Sequence, residues 1–168
     1  LEFRRVLFRS MEKKFHFTEE HIGYLFAYCG FMGALIQGGA VGRLVKRFGE
    51  THLIWGSLLV VGLSLALLPL AGGLAALLVV LALFSASSGI NRAPTMGLIS
   101  RFTPPEDQGA TLGVAQSAGT LARVLGPVFA TSLLTRSLSA PYFACAGVAF
   151  FAGWLAHRYL ASARVPTR

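Results

Sequence analysis

Acidic side chains are scarce in this sequence, which carries 7 Asp and Glu against 15 Lys and Arg. Those beyond Met11, namely Glu12, Glu19, Glu20, Glu50, Glu106 and Asp107, stand at the ends of long apolar runs and never inside one. That excludes paired-carboxylate chemistry within the runs and leaves no acid there to carry a proton. Cysteine is nearly absent too. Cys29 and Cys145 lie in different apolar runs, so neither a disulfide framework nor a metal site can be drawn from them, and both read as small packing residues. His16 and His21 come without a third ligand and read as solvated side chains. With no Ser-His pair and no His-Glu cluster, an enzyme is not expected, and neither is a cofactor or metal. A secretory signal is also missing, because Met11 to Phe17 is charged and has no apolar core.

Apolar residues fill that space, at 54% of the chain against 13% charged, for a mean hydropathy of +0.63. Charge collects at the ends of runs of about 20 residues, the length that crosses a ~30 Å hydrocarbon core. The expected fold class is all-α, a polytopic membrane bundle of five transmembrane helices near 21–41, 52–71, 74–100, 109–134 and 141–161. The net charge of +8 marks loop ends rather than one soluble face, so nucleic acid is not an expected partner. Residues 1–10, LEFRRVLFRS, resemble the in-frame translation of a sequencing-library adapter and are set apart from the fold. The natural chain is accordingly expected to extend upstream of Met11.

The first helix is expected to start at Thr18, whose hydroxyl can cap N–H groups while Glu19 and Glu20 suit the positive end of the dipole. Within the first span, Gly30, Ala34, Gly38 and Gly42 recur every four residues, a small-residue stripe suited to close helix packing, and Gln37 beside it is expected to face protein or a cavity rather than lipid. The span from His52 to Ala71 has little polarity beyond Ser57 and Ser64 and reads as an outer, lipid-facing helix with Trp55 as an interfacial anchor. The next begins aliphatic and turns polar from Ser85 to Thr95, with Pro94 predicting a kink. Polar helix at membrane depth is tolerated where it lines water or is buried in protein, so Asn91 and Arg92 become candidates for a transport pathway. Arg92 lies some ten residues, roughly 15 Å, from the helix end. Two readings stand for it: a cavity cation that meets substrate or pairs across helices, or a structural Arg bonded to carbonyls. In the fourth span Gly113, Gln116, Thr120, Arg123 and Pro127 fall at steps of three or four, on one face, the pattern of a cavity-lining helix. Arg123 also admits a structural reading, as an interhelical tie.

Three stretches carry a family resemblance. Gly42, then Arg47 and Gly49, resemble the Gly-x-x-x-Asp-Arg-x-Gly signature of the major facilitator superfamily of transporters, with Lys46 where the family has Asp. The resemblance implies a short gating loop on the cytoplasmic side, built from Gly42, Arg43, Lys46, Arg47 and Gly49. The family's second-half copy tolerates loss of the Asp, so Lys46 points to that half. Pro104-Pro105-Glu106-Asp107-Gln108-Gly109 resembles the loop after the tenth span of drug/proton antiporters, the tetracycline-efflux group among them. Arg123 with Gly126 and Pro127 resembles the proline-kinked motif of the family's fifth span, carried by its second-half counterpart; the kink transfers, whereas Gly119 and Gly126 are too few glycines for the full antiport motif.

The resemblance therefore implies spans eight to twelve of a twelve-span protein, half of a major facilitator fold, whose partners are the missing N-terminal half, the bilayer, a small-molecule substrate and protons. Residues 11–20 would be a periplasmic loop, 21–161 the five spans and 162–168 a cytoplasmic tail. Lys and Arg agree, since Arg43, Lys46, Arg47, Arg101, Arg158, Arg164 and Arg168 outnumber Lys13, Lys14 and Arg136 on the opposite side. The expectation is a multi-pass protein of the inner (plasma) membrane with a cytoplasmic C-terminus, effluxing a drug-like or small organic solute by alternating access. A metabolite or sugar permease of the same superfamily is the alternative, and a non-transporting membrane scaffold the remoter one.

Overall fold

The computed structural model describes residues 19–160, apart from 136 and 138. The Thr18 cap, His16, Lys13, Lys14, Arg136, the tail from residue 161 and the decamer 1–10 lie outside the described residues. Within them the chain is all-α. Helix α1 (Glu19–Leu35) passes through a π-helical stretch, Ile36–Ala40, into α2 (Val41–Phe48). Then come α3 (Glu50–Leu67) with a 3-10 turn Leu68–Leu70, α4 (Leu74–Phe102), a 3-10 turn Pro105–Asp107, α5 (Gln108–Leu134) and α6 (Ala140–Leu160). Five segments are long and apolar enough to cross a membrane: Gly23–Phe48, Glu50–Leu70, Leu74–Phe102, Pro105–Leu134 and Ala140–Leu160. The boundaries follow the local chemistry. Gly72 and Gly73 separate α3 from α4, and Pro104-Pro105 ends the run of α4.

The basic stretch 42–48 is helix where a loop was expected. Lys46 and Arg47 occupy the last turn of α2, where positive charge meets the negative end of the dipole, so the helix continues to Phe48. The connection contracts to Gly49 alone, at φ 78° and ψ 155°. That backbone region is open essentially to glycine only.

The small-residue stripe of the first span does not form an interface among the described residues. Gly30, Ala34, Gly38 and Gly42 are all exposed, and a Cβ added to any of the three glycines would meet nothing within 4 Å. The π turn explains this, because its i→i+5 bonding adds a residue to the turn and breaks the four-residue register between Ala34 and Gly38. Gln37, inside the π turn, does meet protein: its amide nitrogen comes within 3.4 Å of the Cβ position of Gly89 on α4.

Helix α3, expected at the lipid-facing edge, is the centre of the bundle. It packs along both α4 and α6 and buries Leu53, Ile54, Ser57, Gly62, Ser64 and Leu65. Hydrophobicity could not reveal this, since a lipid tail is as apolar as leucine and a buried membrane helix carries no compositional mark of its neighbours. The marks that do report it are small residues. A Cβ on Gly62 would stand 3.0 Å from the Phe150 ring of α6, and one on Gly153 of α6 would stand 3.4 Å from Leu58 Cβ and 3.3 Å from Leu59 Cδ2. Glycine on each helix thus brings the α3 and α6 backbones together, and dispersion over that contact supplies the association that the hydrophobic effect cannot supply in lipid. At the opposite end of the bundle from the basic residues, Leu25, Leu68, Leu77, Val80, Leu81 and Tyr142 form one apolar cluster joining α1, α4 and α6 to the end of α3.

Helix α5 contrasts with α3. It has no buried residue, and its few contacts are with its sequence neighbours α4 and α6.

Candidate functional site

Pro94 has no N–H, so the carbonyl of Ile90 loses its helical donor, yet α4 runs on as a single helix from Leu74 to Phe102 with Pro94 buried. A polar cluster occupies the turn before it. Asn91 Nδ2 donates to Ser57 Oγ at 2.9 Å and to the Ile54 carbonyl at 3.3 Å, both on α3. Ser57 in turn donates to the Ile54 carbonyl at 3.0 Å. The Thr95 hydroxyl lies 2.8 Å from the Asn91 carbonyl and 3.1 Å from Asn91 Oδ1. Asn91 is half-buried and held by both helices, so its side chain is committed within the bundle. Ser57, expected to be an incidental polar residue on a lipid-facing span, is the acceptor that fixes it.

Arg92, one residue on, turns the other way and is exposed. On α5 Gln116, Thr120 and Arg123 are exposed as well, with Pro127 half-buried below them. The Thr120 hydroxyl returns to the Gln116 carbonyl at 2.9 Å, which satisfies it within its own helix. Arg92 and Arg123 make no side-chain hydrogen bond or ion pair with the described residues, so the structure leaves both cations directed away from the bundle they belong to. From Gln116 to Gly126 every residue of α5 is exposed, so the polar stripe there is unpartnered among the described residues, whereas Ala130 and Leu134 nearer its end pack against the apolar cluster.

At the basic end of the bundle the spacing pattern missed an ion pair. Arg101 Nη1 on α4 reaches Glu50 Oε2 on the first turn of α3 at 3.2 Å, and Glu50 also lies 3.6 Å from the Cβ position of Gly97, one turn before Arg101. Glu50 stands next to Gly49, so the acid that the signature lacks at Lys46 is present four residues later, paired to a different helix. The i, i+4 spacing of Gly97 and Arg101 was the available signal, a gap and then a cation on one face. Asp107 precedes α5 without a capping bond, and the turn is tied back by Gln108 Nε2 donating to the Ser100 carbonyl at 3.4 Å. Trp55, expected as an interfacial anchor, stacks on His157 of α6 at 5.0 Å between ring centroids. Cys29 and Cys145 are both half-buried and unbridged.

These features define a polytopic α-helical membrane protein with one satisfied polar seam and a separate set of unpartnered cations. Residues 6–168 match the Major Facilitator Superfamily, and the chain belongs to that superfamily of membrane transporters. It is 31% identical over 132 residues to "Solute carrier family 22 member 18" of Mus musculus, covering 77% of this chain and 32% of that protein. The Rattus norvegicus protein of the same name is 32% identical over 126 residues, covering 73% and 30%. "Major facilitator superfamily domain-containing protein 10" of Mus musculus is 27% identical over 121 residues, covering 72% and 26%. The chain thus spans about a third of the length of the curated relatives it matches. No solved structure matches it.

Proposed function

We propose that this chain is the C-terminal half, spans eight to twelve, of a secondary transporter that works by alternating access, with its substrate pathway running between this half and an N-terminal half. The observation that carries the reading is the exposure of α5. A membrane helix bearing Gln116, Thr120 and Arg123 on one face, with no buried residue of its own, requires a polar or aqueous counterpart beyond this bundle. Arg92 on α4 is exposed in the same way, and intramembrane cations left unpaired are expensive unless they meet a substrate or a carboxylate. Arg92 and Arg123 therefore attract an anionic or polar substrate group or pair with a coupling acid, while Gln116 and Thr120 line the path. The resemblance to drug/proton antiporters favours proton-coupled efflux of a drug-like or small organic solute at the inner (plasma) membrane, C-terminus in the cytoplasm. The acids of the described spans, Glu50, Glu106 and Asp107, stand at span ends and none lies at membrane depth, so the proton carrier belongs to the other half. Gly42, Arg43, Lys46, Arg47 and Gly49 act at the cytoplasmic gate, and Gly126 with Pro127 supplies a point where α5 bends.

The test is reconstitution of the full-length protein in liposomes with substrate-driven proton movement as the readout. Arg92→Ala and Arg123→Ala are expected to reduce it at least tenfold. Wild-type transport in both would remove these residues from the mechanism, and transport that ignores an imposed proton gradient would remove the coupling.

A further inference from the structure

An open-sided cleft of about 490 Å³ lies against the basic end of the bundle, between α2, α3 and α4. Phe48, His52, Gly56, Val60, Leu83 and Ile90 line it, and none of the candidate pathway residues does. Apart from the Trp55 indole N–H in its wall, its interior offers a ligand few polar groups. The two serines in its wall are already committed, Ser57 to the Ile54 carbonyl at 3.0 Å and Ser87 to the Leu83 carbonyl at 2.6 Å. Its mouth is different. The Arg47 guanidinium sits 5.5 Å from the centroid of the lining Phe48 ring, and His52 forms part of the wall. No acid lines the cleft. The nearest described acid, Glu50, is turned to Arg101.

We infer that this cleft holds one acyl chain of an anionic glycerophospholipid, with the phosphate at its mouth against Arg47 and His52. The length agrees: from His52 to Val60 the wall runs eight residues of helix, about 12 Å, most of the ~15 Å that one leaflet of a ~30 Å core provides. The direction agrees as well, since the cleft runs along α3 and α4, as acyl chains do, and ends in charge where the headgroups lie. A soluble drug-like ligand would have neither the apolar depth nor the terminal phosphate that this division of chemistry fits. The site stands on the membrane-spanning character of the helices and not on any transport assignment.

Native mass spectrometry of the full-length protein with equal phosphatidylglycerol and phosphatidylcholine, matched in acyl chains, reads the preference directly. Phosphatidylglycerol should be retained in clear excess, and the double variant Arg47→Gln, His52→Gln should lower its retention roughly fivefold, as expected for loss of the Arg47 charge at an anionic surface. Gly56→Leu fills the cleft; a Cβ there meets nothing within 4 Å, so the fold should tolerate it. It should reduce retention of both lipids. Phosphatidylglycerol with a photoreactive group in its acyl chain should label peptides containing His52–Val60 and Leu83–Ile90. Equal retention of the two lipids, unchanged retention in both variants, or labelling confined to other helices would each overturn the inference, the last showing that another segment covers the cleft.

Discussion

The side-chain amide of Asn91 on α4 donates to the Ser57 hydroxyl on α3 across 2.9 Å, and the same amide reaches the Ile54 carbonyl at 3.3 Å. Asn91 thereby belongs to the joint between two helices, whereas Arg92 beside it is exposed. Interhelical hydrogen bonds in membranes average about 0.6 kcal/mol and reach about 1.7. A double-mutant cycle of Asn91→Ala and Ser57→Ala, read by unfolding in mixed micelles, should give a coupling energy in that range. A coupling of zero would mean that the two side chains do not hold the helices together.

Gly49 sits where only glycine is at ease. With φ at 78°, ψ at 155° and open space around it, its requirement is conformational and not steric. Gly49→Ala should destabilise the protein by about 1–3 kcal/mol. Gly42→Ala, in regular helix and equally unhindered, should be neutral or slightly stabilising. Equal effects of the two would deny Gly49 its special backbone.

At the α3–α6 contact two glycines differ in what faces them. Gly62 faces the Phe150 ring, which is 39% exposed and can swing, whereas Gly153 faces the Cβ of Leu58, which can move only with its backbone. Gly153→Val should cost more than Gly62→Ala, within the ~1–3 kcal/mol typical of overpacking. Melting of the two purified variants checks the order.

The Glu50–Arg101 pair is partly solvated, with side chains 20% and 42% exposed. Screening by water limits its worth to under about 1 kcal/mol. Glu50→Gln should lower stability by no more than that, and the difference from wild type should shrink as salt rises. A larger loss, insensitive to salt, would show that Glu50 acts through contacts other than this charge.

Arg92→Ala and Arg123→Ala should leave the melting temperature within about 2 °C of wild type, because neither side chain bonds to the described residues. A transport defect in these variants then reports on the pathway. A matching loss of stability would instead assign them a structural role.

The five spans were legible from run length and charge placement, and their ends agree with the helices to within a few residues, apart from the basic stretch 42–48. There the length of the apolar run set the expected end at Val41, while Lys46 and Arg47 carry the helix a further two turns by meeting its dipole. The neighbours of each span were not legible. Ser57 looked incidental because a lone serine on an apolar helix reads the same in lipid as in a protein interior. The stripe from Gly30 to Gly42 misled because a four-residue period assumes α-helical winding throughout, and the Gly38-Gly39 pair lies in a π turn. On α5 the spacing of Gly113, Gln116, Thr120, Arg123 and Pro127 falls on one continuous helix, so their shared direction was legible; of the five, Pro127 alone is half-buried.

Helix α5 buries no residue against this bundle, so the bundle exerts little restraint on which side chains it bears. From Gln116 to Gly126, where every residue is exposed, a substitution leaves no cavity in the other helices, whereas Ala130 and Leu134 pack against the apolar cluster. Sequence along those exposed turns can drift at small thermodynamic risk to the bundle. The exposed turns of α5 can change one side chain at a time in a protein that still folds, whereas α3, packed along both α4 and α6, has far less freedom.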